Sequence, residues 1–187
     1  MGMGTSQEGR GCGMKQTKLM NAIIVPILFA VYMYVLIKVI LFKFGTINVT
    51  FLQGQMQRNL RNPENIIERL QSGNLSPLAE ISRNMEHLSG HGLINLVGNI
   101  AIFIPFGIFL LLMSRNHKMS FISVFILSLG LSLSLECAQV LFQIGTFDVD
   151  DLILNVSGGL IGFVIFKICV MFKRNEPKIR SEDSATL

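Results

Sequence analysis

Four apolar blocks of 21 to 24 residues dominate the chain: Leu19–Phe42, Leu93–Met113, Phe121–Phe142 and Leu152–Phe172. At a rise of about 1.5 Å per residue, a helix of that length crosses the roughly 30 Å hydrocarbon layer of a bilayer. Apolar residues surround most of each block instead of forming the single stripe of a soluble surface helix. Half of the 187 residues are apolar and 15% are charged, where a soluble domain carries about 25% charged residues. So small a chain lacks the polar surface to cover four buried helices. The expectation is an all-α, polytopic membrane protein with about four transmembrane helices in one bundle.

Positive charges near the segment ends set the expected orientation. Lys15 and Lys18 precede the first block, Arg115 and Lys118 separate the second from the third, and Lys173, Arg174, Lys178 and Arg180 follow the fourth. Four crossings place all three groups in the cytoplasm, with both termini. The short link Gly145–Asp151 then faces outward with Asp148, Asp150 and Asp151 and no basic residue. The long link 43–92 also lies outside; it carries both signs of charge, but long loops count little in this rule. The formal charge of +4 thus reflects cytoplasmic anchoring and gives no support to nucleic-acid binding.

Three segments follow: an N-terminal leader over 1–18, a membrane domain over 19–172 and a basic cytoplasmic tail over 173–187. The first block is too long for a signal peptide and no small-residue cleavage site follows it, so it reads as a retained anchor. The stretch before Met14 resembles no helix or motif and reads as an upstream start or an expression scar. Cys12, Cys137 and Cys169 offer neither a disulfide framework nor a CxxC metal site. In the outer loop, Pro63–Leu70 reads as a short helix with proline at its start. Leu78, Ile81, Met85 and Leu88 recur as on an amphipathic helix lying on the outer leaflet.

A charge at the bilayer centre costs about 2.5–3.5 kcal/mol on insertion scales, so polar residues inside the blocks need a reason. His91, Asn95 and Asn99 are spaced by four and share one face of the second helix. Glu136, Gln139 and Gln143 do the same on the third. Asp151 and Asn155 open the fourth, and their face continues as Gly158, Gly159 and Gly162, where small residues let a neighbouring helix approach. Asn99 and Glu136 each lie roughly 9 Å below the outer boundary, and Asn155 roughly 5 Å. The inner halves are almost wholly apolar apart from Ser123 and Ser128. These depths point to an outward-facing polar pocket formed by Asn95, Asn99, Glu136, Gln139, Asp148, Asp151 and Asn155, with Glu136 expected within reach of Asn99 or Asn155. Helix-to-helix hydrogen bonding accounts equally for the two asparagines, and helix capping for Asp148 or Asp150. Pro105 is expected to kink the second helix and free a carbonyl.

In order along the chain stand Asn74-Leu-Ser-Pro-Leu78, Asn95-Leu-Val-Gly-Asn99, Phe103-Ile-Pro-Phe-Gly107, Glu136-Cys-Ala-Gln139 and Asp148-x-x-Asp151-x-x-x-Asn155-x-x-Gly158. Their order and spacing resemble the VanZ-like family of bacterial membrane proteins over about residues 19–172. In one respect the chain departs from the pattern. Many members carry Arg a few residues before the first Asp of the last motif, where Gly145-Thr146-Phe147 stands here. The resemblance implies a role at the bacterial cell envelope, near peptidoglycan precursors or their lipid carrier, and an association with resistance to the glycopeptide teicoplanin.

Three function classes remain. The favoured one is binding or masking of an envelope lipid, a peptidoglycan lipid precursor or a glycopeptide antibiotic near the outer surface. An enzyme acting on a lipid head group would use Glu136 with Asp148 or Asp151 for acid–base or metal-assisted work, but no GxSxG or HExxH element is present. A transporter would need polar residues in the inner half as well. No catalytic residue, metal ligand or cofactor is assigned. The topology makes a direct prediction. In a background without native cysteines, Ser76→Cys should react with an impermeant thiol reagent on intact cells, while Ser114→Cys and Ser181→Cys should react only after lysis. Labelling at residue 181 from outside would rule out four crossings with an internal C-terminus.

Overall fold

The computed structural model describes residues 8–42, 48–78, 81–82, 90–114 and 119–175. Six helices order the described chain: α1 (Glu8–Phe42), α2 (Val49–Arg61), α3 (Glu64–Gln71), α4 (Gly90–Met113), α5 (Phe121–Leu141) and α6 (Val149–Asn175). Among the described residues there is no strand, and a single parallel bridge joins Asn74 to Asp148. Four helices are long and apolar enough to cross a membrane: Ala22–Phe42, Ile94–Met113, Phe121–Leu141 and Val149–Lys173. The four expected blocks are therefore the four spans of one polytopic bundle. The helix boundaries move by a few residues where polar ends continue the backbone ladder.

Two expectations need correction. The stretch before Met14 is helical from Glu8, because extending an established helix costs one residue's ordering per hydrogen bond gained. The loop after the first span also contains a helix, α2, that its sparse apolar residues did not announce. Pro63 precedes α3 as expected, with its carbonyl accepting from Ile66 N at 3.0 Å. The amphipathic segment Leu78–Leu88 lies largely outside the described residues.

Helices α4 and α6 form the most extensive contact in the bundle, and glycine makes it possible. A Cβ placed on Gly158 would land on the carbonyl of Ile100, one on Gly162 on that of Ile104, and one on Gly107 on that of Gly159. Helices in lipid gain little from hydrophobic sorting, so close backbone approach and the van der Waals contact it permits hold them together. On its other side Gly159 receives Ser128 of α5, which is fully buried. Exposed Ser134 and half-buried Ser157 instead donate to carbonyls of their own helices, Gly130 and Ile153, at 2.7 Å each.

Helix α1 stands at the edge. Leu36 is fully buried against Phe103, Phe106 and Leu135, and Phe29 and Tyr32 meet Phe109 with ring centroids 5.6 and 5.4 Å apart. Ile23, Ile27, Leu28, Val31 and Val35 face outward, as suits a lipid-facing surface. Tyr32 Oη donates to the Ile102 carbonyl at 2.6 Å. Pro105 has no N–H for the Ala101 carbonyl, yet the carbonyl taken by another helix is that of its neighbour, Ile102.

The glycine contacts predict a contrast. Gly158→Ala or Gly162→Ala should lower thermal stability and membrane yield, with overpacking costing about 1–3 kcal/mol. Gly54→Ala and Gly130→Ala, where an added Cβ meets nothing within 4 Å, should leave both unchanged or raise stability slightly. Thermal unfolding of the purified variants in detergent measures the difference.

Candidate functional site

The end of the bundle where α5 finishes and α4 and α6 begin is organised by a tight turn. Helix α5 ends with Ile144 N donating to Gln139 O at 3.0 Å and Gln143 N to Val140 O at 3.2 Å, the paired bonds of a Schellman stop. Gln143 occupies the left-handed position, with φ 55°, that glycine usually takes. Its side-chain amide donates to Asn59 Oδ1, which helps hold that backbone. Asn59 Nδ2 in turn donates to Leu141 O at 2.6 Å, so α2 rests on the end of α5. Arg69 of α3 donates to Gly145 O at 3.1 Å. A turn without an arginine of its own thus receives a guanidinium from the preceding loop.

Three aspartates follow. Asp148 Oδ1 accepts from Asp150 N at 2.8 Å, the hydrogen bond of an N-cap, at the helix end where negative charge is favoured. Asp148 N donates to Glu136 Oε2 at 3.0 Å. Asp151 Oδ1 accepts from Asn99 Nδ2, tying α6 to α4. Asp150 is only 1% exposed and reaches the loop instead. Its carboxylate accepts from Leu78 N, from Ile81 N at 3.2 Å and from Asn74 Nδ2 at 3.3 Å. Asn74 also donates its side chain to Asp148 Oδ1 at 3.0 Å, while its backbone bonds Phe147 O and Val149 N. Leu78 takes a left-handed backbone, φ 66°, with its side chain mostly exposed. Such a conformation persists in a non-glycine residue only when its surroundings over-determine it, and Asp150 supplies that constraint.

One turn below Glu136, Ser132 Oγ accepts from Asn155 Nδ2 at 2.9 Å. Glu136 and Ser132 are wholly buried and Asn155 nearly so. Asn155 Oδ1 and Ser128 Oγ are buried with no hydrogen-bond partner. The polar face of α5 is therefore the line Ser128–Ser132–Glu136, set against Asn155 and Gly159 of α6.

The profile of the family described as VanZ/LLP1 matches residues 29–170. The chain belongs to the VanZ/LLP1 family. It is 33% identical over 140 residues to Protein VanZ of Enterococcus faecium, across 74% of this chain and 71% of that protein. No solved structure matches the chain. The matched span contains every residue of the polar cluster.

In this VanZ/LLP1 chain, five expected site residues come together: Asn99, Glu136, Asp148, Asp151 and Asn155. Glu136 is held by the Asp148 backbone, while Asn99 turns to Asp151 and Asn155 to Ser132. Gln139 leaves the cluster and donates to Ile40 O of α1 at 3.1 Å. Asn95 lies half-buried one turn nearer the start of α4, and the cluster's hydrogen bonds described above do not involve it. The His91 side chain lies outside the described residues. Sequence reasoning left Asp150, Asn74 and Ser132 off the site. Asn74 and Asp150 sit within recognisable motifs, and Ser132 stands one turn before Glu136, so spacing could have flagged it. Among the described residues no group of three or more His, Cys, Asp or Glu is placed to hold a metal ion.

Removing the Asp150 carboxylate tests this geometry. Hydrogen bonds to charged groups contribute about 1.5–3 kcal/mol each, so Asp150→Ala should loosen residues 74–82. Limited proteolysis should cleave that segment faster, with Asp150→Asn intermediate because its amide keeps one acceptor oxygen. Unchanged cleavage in both variants would contradict the described contacts.

Proposed function

We propose that the protein acts at the bacterial cell envelope by binding or masking an envelope lipid or a glycopeptide-type antibiotic. The contact would be made at the polar cluster of Asn99, Glu136, Asp148, Asp151 and Asn155, and it would contribute to resistance. The observation that carries this reading is the buried Glu136 at the foot of the aspartate turn, in a bundle that otherwise presents apolar side chains to lipid. A carboxyl held inside a membrane span is a functional-site hypothesis by default. The distribution of basic residues supports placing this end at the outer surface, with both termini in the cytoplasm. The similarity to Protein VanZ supports glycopeptides, teicoplanin among them, as the antibiotic class to test.

An enzymatic role for the carboxylates draws less support from the geometry. Asp148, Asp150 and Asp151 each accept hydrogen bonds from backbone or asparagine N–H groups. Their acceptor oxygens are thus already engaged in holding the turn and its neighbouring elements together. A transport path draws little support either, because the polar side chains in the opposite half of the bundle are few: Ser123, Ser128 and Lys167, whose ammonium lies 5.4 Å from the Phe163 ring centroid.

Glu136→Gln separates ligand work from folding. The amide oxygen can still accept from Asp148 N, so the variant should reach the membrane in wild-type amount. Resistance to teicoplanin conferred on a susceptible host should fall. Asn155→Ala is the companion, since it removes the bond to Ser132 without touching charge. Immunoblots of membranes and minimum inhibitory concentrations read the two effects apart. Loss of protein in both variants would reduce the cluster to a helix-joining device.

A further inference from the structure

Helix α2 carries three distinct faces. At about 100° per residue, Val49, Met56 and Leu60 fall within about 40° of one another, and they are 60%, 36% and 68% exposed. Gln55 and Asn59 are centred about 100° away on the helix circumference and are 8% and 1% exposed. The remaining arc holds Thr50, Gln53, Gln57, Arg58 and Arg61, all exposed. Phe51 falls outside the apolar stripe, at the edge of this polar arc. Leu52, half-buried, lies between the stripe and the amides. The helix therefore turns Gln55 and Asn59 toward the protein and Val49, Met56 and Leu60 away from it, the reverse of a helix docked on a water-soluble core.

Its level relative to the spans is set by hydrogen bonds. Asn59 Nδ2 donates to Leu141 O, and Leu141 is the last residue of the α5 span. Gln139, half a turn earlier on α5, donates to Ile40 O, two residues before the α1 span ends at Phe42. The start of α2 at Val49 follows soon after. Both neighbours place α2 where the hydrocarbon meets the headgroups.

We propose that α2 lies in the membrane plane at this end of the bundle. Val49, Met56 and Leu60 sit among the acyl chains of that leaflet, and Arg58 and Arg61 sit among lipid phosphates. The occupant of the apolar face is the phospholipid bilayer itself. Three observations lead there: the stripe emerges beside spans whose exposed surface is equally apolar, the boundary level fits, and two arginines on the water-side arc complement anionic phosphate. A helix of this kind buries its apolar face about 5–10 Å into the boundary. The inference needs only the four spans and is independent of any ligand at the Glu136 cluster.

The chain contains no tryptophan, so single-tryptophan fluorescence tests the proposal in the full-length protein reconstituted into phospholipid vesicles. Leu60→Trp and Met56→Trp should emit at short wavelength, resist iodide and be quenched by lipids brominated near the glycerol. Ile126→Trp, on the exposed apolar surface of α5, supplies the lipid-facing reference, and Gln57→Trp should instead be quenched by iodide. Iodide quenching at positions 56 and 60 would put the stripe in water and overturn the proposal. Protection from both quenchers would mean that a second copy or another protein covers it, which also overturns the proposal. Two stripe positions guard against one variant failing to fold.

Discussion

The approach of α4 to α6 through Gly107, Gly158, Gly159 and Gly162 is the contact on which the rest of the bundle depends. It brings two parallel helices backbone to backbone, and only at that separation can the short side chain of Asn99 reach Asp151. The same surface lets Ser128 of α5 settle over Gly159, which sets α5 at the depth where Glu136 meets the backbone of Asp148. In lipid, where apolar side chains gain little by leaving their surroundings for one another, such contact replaces the hydrophobic drive of a soluble core.

Above that contact, the acidic turn works as a clasp. Asp148 caps α6, Asp151 holds α4, and Asp150 gathers the loop after α3 through Leu78, Ile81 and Asn74. Each carboxylate accepts N–H donors, which satisfies buried acceptors that would otherwise be costly. The loop, two spans and the Glu136 line thus form one connected polar unit at a single end of the molecule. A ligand touching any part of it would meet a surface whose side chains are already oriented by neighbours.

The legible and illegible parts of this site divide cleanly by residue. The stripes holding Asn99, Glu136, Asp151 and Asn155 were visible as spacings of three and four. Gln139 shares that spacing with Glu136, yet a small rotation around α5 turns it to Ile40 of α1. Helix α2 is hidden in the sequence because its buried side is made of amides, Gln55 and Asn59, which hydropathy cannot distinguish from solvent-facing ones. Its apolar residues were too few to stand out from a polar loop. Asp150 looked like a second capping residue, and only the arrival of Leu78 and Ile81 makes it the centre of the clasp.

By itself the amino-acid order determined four membrane crossings, the glycine face of α6 and the gathering of acids and amides toward one end. These follow from length, hydropathy and helical period, which are local properties measured against the bilayer's fixed thickness. Tertiary structure alone decided which amide meets which carboxylate. Asn74 and Asp148 stand 74 residues apart in the chain. Their meeting depends on helix rotation and loop path, which arise only when the whole bundle has packed.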